Sequence, residues 1–354
     1  MFTFIHDLTA KQRIWIVAGV ASAILAALGT WWYISAHQAP PAKPHVAPVV
    51  KKAIPPKPRV VVAALVNPLT GLSPVPKGPV IAVKIDDTAP GRPSAGLDRA
   101  DVIYIEEAEG GGSRMLAVFA TAKPQVEAVR SVRASDPELL GPYLRPVLVA
   151  SGGGGSSLPT LDRSILHSVI NDRGQVGFHR DQNRPAPYNL VSDLNVVSRA
   201  FPGASGVRDV GFTWNKSYPT AAGGNPGARV STLVGSTPVT FSWGPKSGTY
   251  VRTINGFALR AADGRPIARA NVLIQYCQIK VDHSDVDVLG NPSMYTETIG
   301  MGKIVLFRNG KRIDGTWSRA SQGATTQYKD AHGKPLPLAP GGTFVLLVRP
   351  GVGA

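Results

Sequence analysis

From Ile14 to Ala36 the chain runs 23 residues without a charged side chain. As a helix that stretch is roughly 34 Å long, enough to cross a bilayer. Trp15 stands at one end and Trp31, Trp32 and Tyr33 at the other, where amphipathic rings favour the headgroup regions. A cleaved signal peptide needs small residues at −3 and −1, which Ile34 before Ala36 and Ala39 before Pro40 supply poorly. The pattern therefore predicts an uncleaved transmembrane anchor at 14–36, a cytoplasmic tail at 1–13 and a body on the extracytoplasmic side.

Residues 60–205 alternate short apolar runs with helical stretches, which predicts an α/β domain with strands near 80–85, 102–105, 116–120 and 146–150. Helix starts are expected at Ser135-Asp-Pro-Glu138 and at Ser192-Asp193. From 206 to 354 the pattern turns to strands and tight turns, a β-rich C-terminal domain, with hairpins at Asn255-Gly256 and Asn309-Gly310. A strand is expected over 271–281, and its apolar neighbours make Cys277 a packing residue rather than a nucleophile. Asp282 to Asp287 reads as a turn between strands, and Trp317 as core. The fold class is α+β overall: a transmembrane helix, an α/β domain, then a β-rich domain.

Charge changes this picture by its location. The 38 Lys and Arg against 23 Asp and Glu leave a net +15. Residues 37–59 form a linker with seven prolines, five basic residues and no acid, stiff and extended by composition. Residues 60–199 are balanced at 14 bases and 14 acids, whereas 200–354 carry 17 bases and 8 acids. The basic excess raises an anionic envelope polymer or lipid as partner; no recognition motif accompanies it, which argues against nucleic acid. The single cysteine excludes an internal disulfide, and the scattered histidines give no metal-ligand spacing.

The candidate chemistry lies in the neutral half. Asp86 ends one expected strand; Glu109, Gly110 and Gly111 follow the next and lead to Arg114. Arg130 and Arg133 share Val129-Arg-Ser-Val-Arg133, expected to present both guanidinium groups on one side when extended, and Gly152 and Gly153 lie in a glycine-rich turn ahead of a helix. Arg180, Asp181, Arg184 and Asn189 follow. This half holds 11 Arg to 3 Lys, and guanidinium groups suit two-point recognition of carboxylate or phosphate. A salt-bridged surface of structural value alone accounts for the same residues. The glycines fit neither a P-loop nor a dinucleotide fingerprint, and nothing names a cofactor.

These blocks together resemble the YerB-like family of bacterial extracytoplasmic lipoproteins. The resemblance spans roughly 67–350 and rests on Asn67-Pro-Leu-Thr-Gly-Leu72, Ile85-Asp86, Ala100-Asp101-Val-Ile-Tyr104, Glu109-Gly-Gly111, Val129 to Arg133, Ser151-Gly-Gly153, Arg180-Asp181 and Arg184 with Asn189. Thr249-Tyr-Val-Arg252 and Gly315-Thr-Trp317 extend it into the second half. Where the family follows the tyrosine with Glu, this chain has Ile105 and then Glu106; where it has Pro-His-Asn, Tyr188 replaces the histidine. The family's lipid-modified cysteine is missing, so the anchor helix takes its place. The resemblance implies an envelope-associated protein and no established reaction.

Two functions are therefore carried forward. The first is a non-enzymatic envelope protein binding an anionic ligand through Arg114, Arg130, Arg133, Arg180, Arg184 and Asn189 with Gly110, Gly111, Gly152 and Gly153. The second is an envelope glycan or phosphodiester hydrolase or transferase using Asp86 and Glu109, with Asp181 as a further acid and a metal as an option.

Overall fold

The computed structural model describes residues 10–37, 65–218 and 225–354. Most of the expected tail and the Pro-rich linker lie outside these. The chain divides into two units, 1–61 and 62–354. In the first, a single helix α1 (Ala10–Ala36) begins four residues before the apolar run. Its segment Ala18–Ala36 is long and apolar enough to cross a membrane.

The body is mostly β, with a few helices. Strands β1 (Ile81–Asp86), β2 (Val102–Glu107) and β3 (Ser113–Phe119) form where the apolar runs predicted them. They are buried on both faces, as continuous apolar strands require. Both NG turns close hairpins with positive φ at Asn255, Gly256, Asn309 and Gly310.

The helices expected in 60–205 form at the predicted starts but are short. After Ser135 only α2 (Asp136–Leu139) forms, and the others span Ser157–Asp162 and Leu194–Ala200. Gly141-Pro142 follows the first, and proline cannot continue a helical ladder; Pro159 in the second stands in the first turn, where a missing amide is tolerated. Asp193 caps the third, its carboxylate accepting from the Asn195 and Val196 amides, but the Ser135 hydroxyl makes no cap bond. The 271–281 strand also divides, into Asn271–Tyr276 and Ile279–Val286, with Cys277 buried between them. The stretch read as a turn at 282–287 is largely the second of these strands, bent where its pairing register shifts between Asp282 and Val286.

An 11-stranded mixed sheet draws on both halves of the body. Its seam pairs β2 in parallel with Thr343–Val348, Val102 opposite Thr343. A five-stranded sheet from 229–269 and the helix at Leu194 cover one face through Val230, Phe241, Tyr250, Leu194 and Val197. Tyr143, Phe212, Leu336 and Leu338 pack with the other face.

Candidate functional site

Strand alternation builds the site. In β1, Ile81, Val83 and Ile85 join the first core, so Ala82, Lys84 and Asp86 face the second. Register then sets Arg114 opposite Asp86 on one side and opposite Glu106 on the other. Four charged side chains on neighbouring strands thus share one largely buried face, where each needs a counter-charge. Lys84 lies between Glu106 and Asp136, with its Nζ 2.7 Å from the Asp136 carboxylate. Burial pulls its ammonium down to about 8 despite the pull of Asp136 in the other direction.

The segment 130–135 forms neither strand nor helix. A pleated strand would turn residues three apart to opposite faces, so the extended reading of Arg130 and Arg133 does not hold. Both reach the cluster because the backbone is irregular. Arg130 Nε approaches Asp86 to 3.4 Å and Arg114 Nη2 to 3.9 Å, long for charge-assisted hydrogen bonds. Asp86 itself is fully buried, and its other oxygen accepts from the Thr88 amide at 2.6 Å. Arg133 pairs side-on with Glu109, which also accepts from the Ser293 hydroxyl at 3.0 Å. Burial raises the Glu109 carboxyl, but the Arg133 bonds and charge outweigh it and the net shift is downward. The Arg130 guanidinium is shifted down, by burial first and then by the neighbouring Arg114 charge. Asp86 Oδ2, Arg114 Nε and Arg130 Nη1 are buried and make no hydrogen bond within the protein. The Arg114 and Arg130 side chains nevertheless keep 13% and 22% of their surface exposed.

Arg180, Asp181, Arg184 and Asn189 form a separate group on the hairpin joining Phe178–Arg180 to Leu190–Asp193. Arg180 donates to Asn189 Oδ1 at 2.8 Å, and Asn189 donates to the Asp181 carbonyl at 3.2 Å. Arg184 pairs with Glu127 at 2.9 Å and donates to the carbonyls of Pro90 and Pro93. The Asp181 carboxylate closes its own turn with Asn183. The link between the groups is Tyr188, whose ring centre lies 5.4 Å from the Arg130 guanidinium carbon.

The glycines admit close neighbours. A Cβ at Gly111 would fall 2.6 Å from Ser236 Oγ, and one at Gly152 would fall 1.9 Å from Asp172 Oδ2. At Gly153 the neighbours are Val132 and Leu158; at Gly110 it is the Asn291 amide. The glycine tract also seats the hairpin 279–296, with Ser156 donating to Asp282 and Ser157 to Asp285. Among the described residues, no group of three or more His, Cys, Asp or Glu is placed to hold a metal.

Sequence reasoning missed the opposite face. There Asp87 takes both Nη groups of buried Arg252, at 2.7 and 2.8 Å, with Ser113 and Arg92 as further donors. Burial raises Asp87, but Arg252 and Ser113 prevail and lower it. Lys84 and Arg252 each left a signal: a lone base on the inward side of an apolar strand. A surface cavity of about 820 Å³, lined by Tyr276, Met301, Lys303, Arg312 and Asp314 among others, contains none of the expected site residues.

The chain belongs to a family of two-domain proteins of unknown function: residues 69–207 match its N-terminal domain and 229–345 its C-terminal domain, described as protein of unknown function DUF3048. It is similar to the Bacillus subtilis (strain 168) protein YerB, whose name classes it with the lipoproteins: 25% identity over 293 residues, 79% of this chain and 85% of that one. The crystal structure of YerB shares the fold, with a TM-score of 0.68 at 23% identity, covering 80% of this chain and 96% of the other. The YerB-like resemblance read from the sequence is thus upheld.

Proposed function

We propose that this chain is a membrane-anchored extracytoplasmic protein of the cell envelope that binds a phosphate- or carboxylate-bearing envelope ligand without chemical conversion. Its named relative supports the location, since a lipoprotein is a membrane-anchored protein. The single-pass anchor rests on α1 and on composition: the one cysteine, Cys277, is buried in the core and unsuited to carry a lipid. The domain plan that goes with this reading is a tail at 1–13, an anchor at 14–36, a linker at 37–59 and body domains at 60–205 and 206–354.

One observation carries the anion reading. Arg114 and Arg130 converge on a single carboxylate, Asp86, at distances too long to satisfy either, and donor nitrogens of both are left without partners. An oxyanion with several acceptor oxygens meets that demand; one carboxylate does not. Arg133, held by Glu109, adds charge beside it, and Arg180 with Asn189 forms an outer rim across Tyr188. Gly110, Gly111, Gly152 and Gly153 shape the loops around it. An enzymatic role for Asp86 and Glu109 has less behind it, because Arg133 holds Glu109 in its ionised form.

Calorimetric titration of the full chain in neutral detergent with glycerol phosphate, and with a short glycerol phosphate polymer, tests the reading. Binding weakened about tenfold by Arg130→Ala is expected, the loss of one charge-assisted contact. No binding, or binding indifferent to Arg130→Ala and Arg114→Ala, ends it.

A further inference from the structure

Beside the arginine cluster stands a hairpin whose tip is built against the usual preferences of turns. Strands Ile279–Val286 and Pro292–Thr296 are joined through Asp287-Val288-Leu289-Gly290-Asn291. Asp287, Gly290 and Asn291 supply the turn chemistry. The Asp287 carboxylate accepts from the Leu289 and Asn291 amides at 2.9 and 2.8 Å and from the Asn291 side chain at 3.0 Å. The Gly290 amide closes on the Asp287 carbonyl, and Gly290 takes φ +83°. Nothing in that frame requires Val288 or Leu289 to be apolar, yet they are 102% and 83% exposed. A turn this heavily bonded holds them outward rather than letting them fold back. Moving two such side chains out of water into hydrocarbon is favourable in proportion to the apolar surface removed from water.

The tip is continuous with the cationic site. Ser293, just after it, donates to Glu109, the partner of Arg133. Asn291 packs over Gly110. An apolar wedge beside partly exposed guanidinium groups matches one surface in particular: hydrocarbon beneath a layer of anionic head groups. The chain also carries an apolar helix of membrane-spanning length.

We infer that the Val288–Leu289 tip inserts into a bilayer bearing anionic phosphate head groups, which the Arg114, Arg130 and Arg133 cluster holds from the side. This rests on the anion reading above and narrows its ligand to a membrane lipid.

The experiment uses the full chain reconstituted into vesicles of phosphatidylcholine alone or with phosphatidylglycerol. Leu289→Cys carries an environment-sensitive fluorophore; the buried Cys277 stays unlabelled. The expected result is a blue shift, with quenching by lipid-borne quenchers, in phosphatidylglycerol vesicles only, lost with Arg130→Ala or Val288→Asp. An equal shift in both vesicle types overturns the inference, because head groups are then not selected. A shift that grows with protein concentration rather than with anionic lipid overturns it in favour of a second copy of the chain. No shift, with Arg130-dependent glycerol phosphate binding intact, overturns the inference and spares the anion reading. Loss of both ends both.

Discussion

Arg252 and Asp87, 165 residues apart, form a two-point ion pair in the body's interior, with Nη1 and Nη2 at 2.7 and 2.8 Å from the two carboxylate oxygens. Asp87 follows β1 of the central sheet and Arg252 lies in the five-stranded sheet packed over it. Removing one partner leaves the other charged and buried, so Arg252→Ala should destabilise the body by about 3–5 kcal/mol. Arg92 and Ser113, also bonded to Asp87, keep the loss toward the lower end. The joint change Arg252→Met with Asp87→Leu should recover most of it. Denaturant unfolding measures both; a cost for Arg252→Ala within the noise would mean the pair does not hold the sheets together.

Gly155 tests how the hairpin at 279–296 is seated. Its φ is +32°, and a Cβ there would fall 1.9 Å from the Ser284 carbonyl oxygen. Gly155→Ala should cost about 1–3 kcal/mol, through left-handed strain and overpacking. Hydrogen exchange locates the effect: amides of 279–296 should lose protection while those of β1 keep theirs. Unchanged protection across the hairpin would refute this seating.

Much of this was legible wherever local chemistry decides the outcome. A charge-free run predicts α1, and NG pairs predict hairpins because only residues tolerant of positive φ close them. Pairing between distant segments was not legible: nothing near Val102 announces Thr343 as its neighbour. The helix starts in 60–205 are legible from Ser135-Asp-Pro-Glu138 and Asp193, whereas the short length of each helix is not. In the site, the grouping of Asp86 with Arg114 follows from strand register, which one sequence does not encode visibly. Arg130 and Arg133 meet their acids only through irregular backbone, and Lys84 was passed over because apolar neighbours hid it.

The anchor yields a prediction independent of the body. Leu25 lies within the apolar segment of α1, and an arginine near the middle of a spanning helix costs about 2.5–3.5 kcal/mol. Leu25→Arg should shift a measurable share of the protein out of the alkali-resistant membrane fraction. Cys277→Ser should leave that fraction unchanged. The reverse pattern would point to a lipid on the cysteine and away from the helix.

Lys84 gives the body a dependence on alkaline pH. Burial is the largest influence on its ammonium and lowers it from 10.5 to about 8, against the opposing pull of Asp136. The folded value lies below the unfolded one, so between those limits the unfolded chain binds more protons, and stability from this group rises with pH. Its penalty is full below pH 8, where the buried ammonium is charged, and fades toward 10.5. That lowering corresponds to roughly 3 kcal/mol. Lys123, also lowered to about 8 by burial, adds a slope of the same sign, so the test is a difference. Unfolding free energies of wild type and Lys84→Met, measured from pH 7 to 10, should diverge in slope, with the steeper rise in wild type. The variant starts lower at neutral pH because Glu106 and Asp136 lose their shared counter-charge, so the slopes rather than the absolute values decide. Parallel profiles would place the Lys84 proton outside this window and leave its ammonium charged within the buried pair of acids throughout.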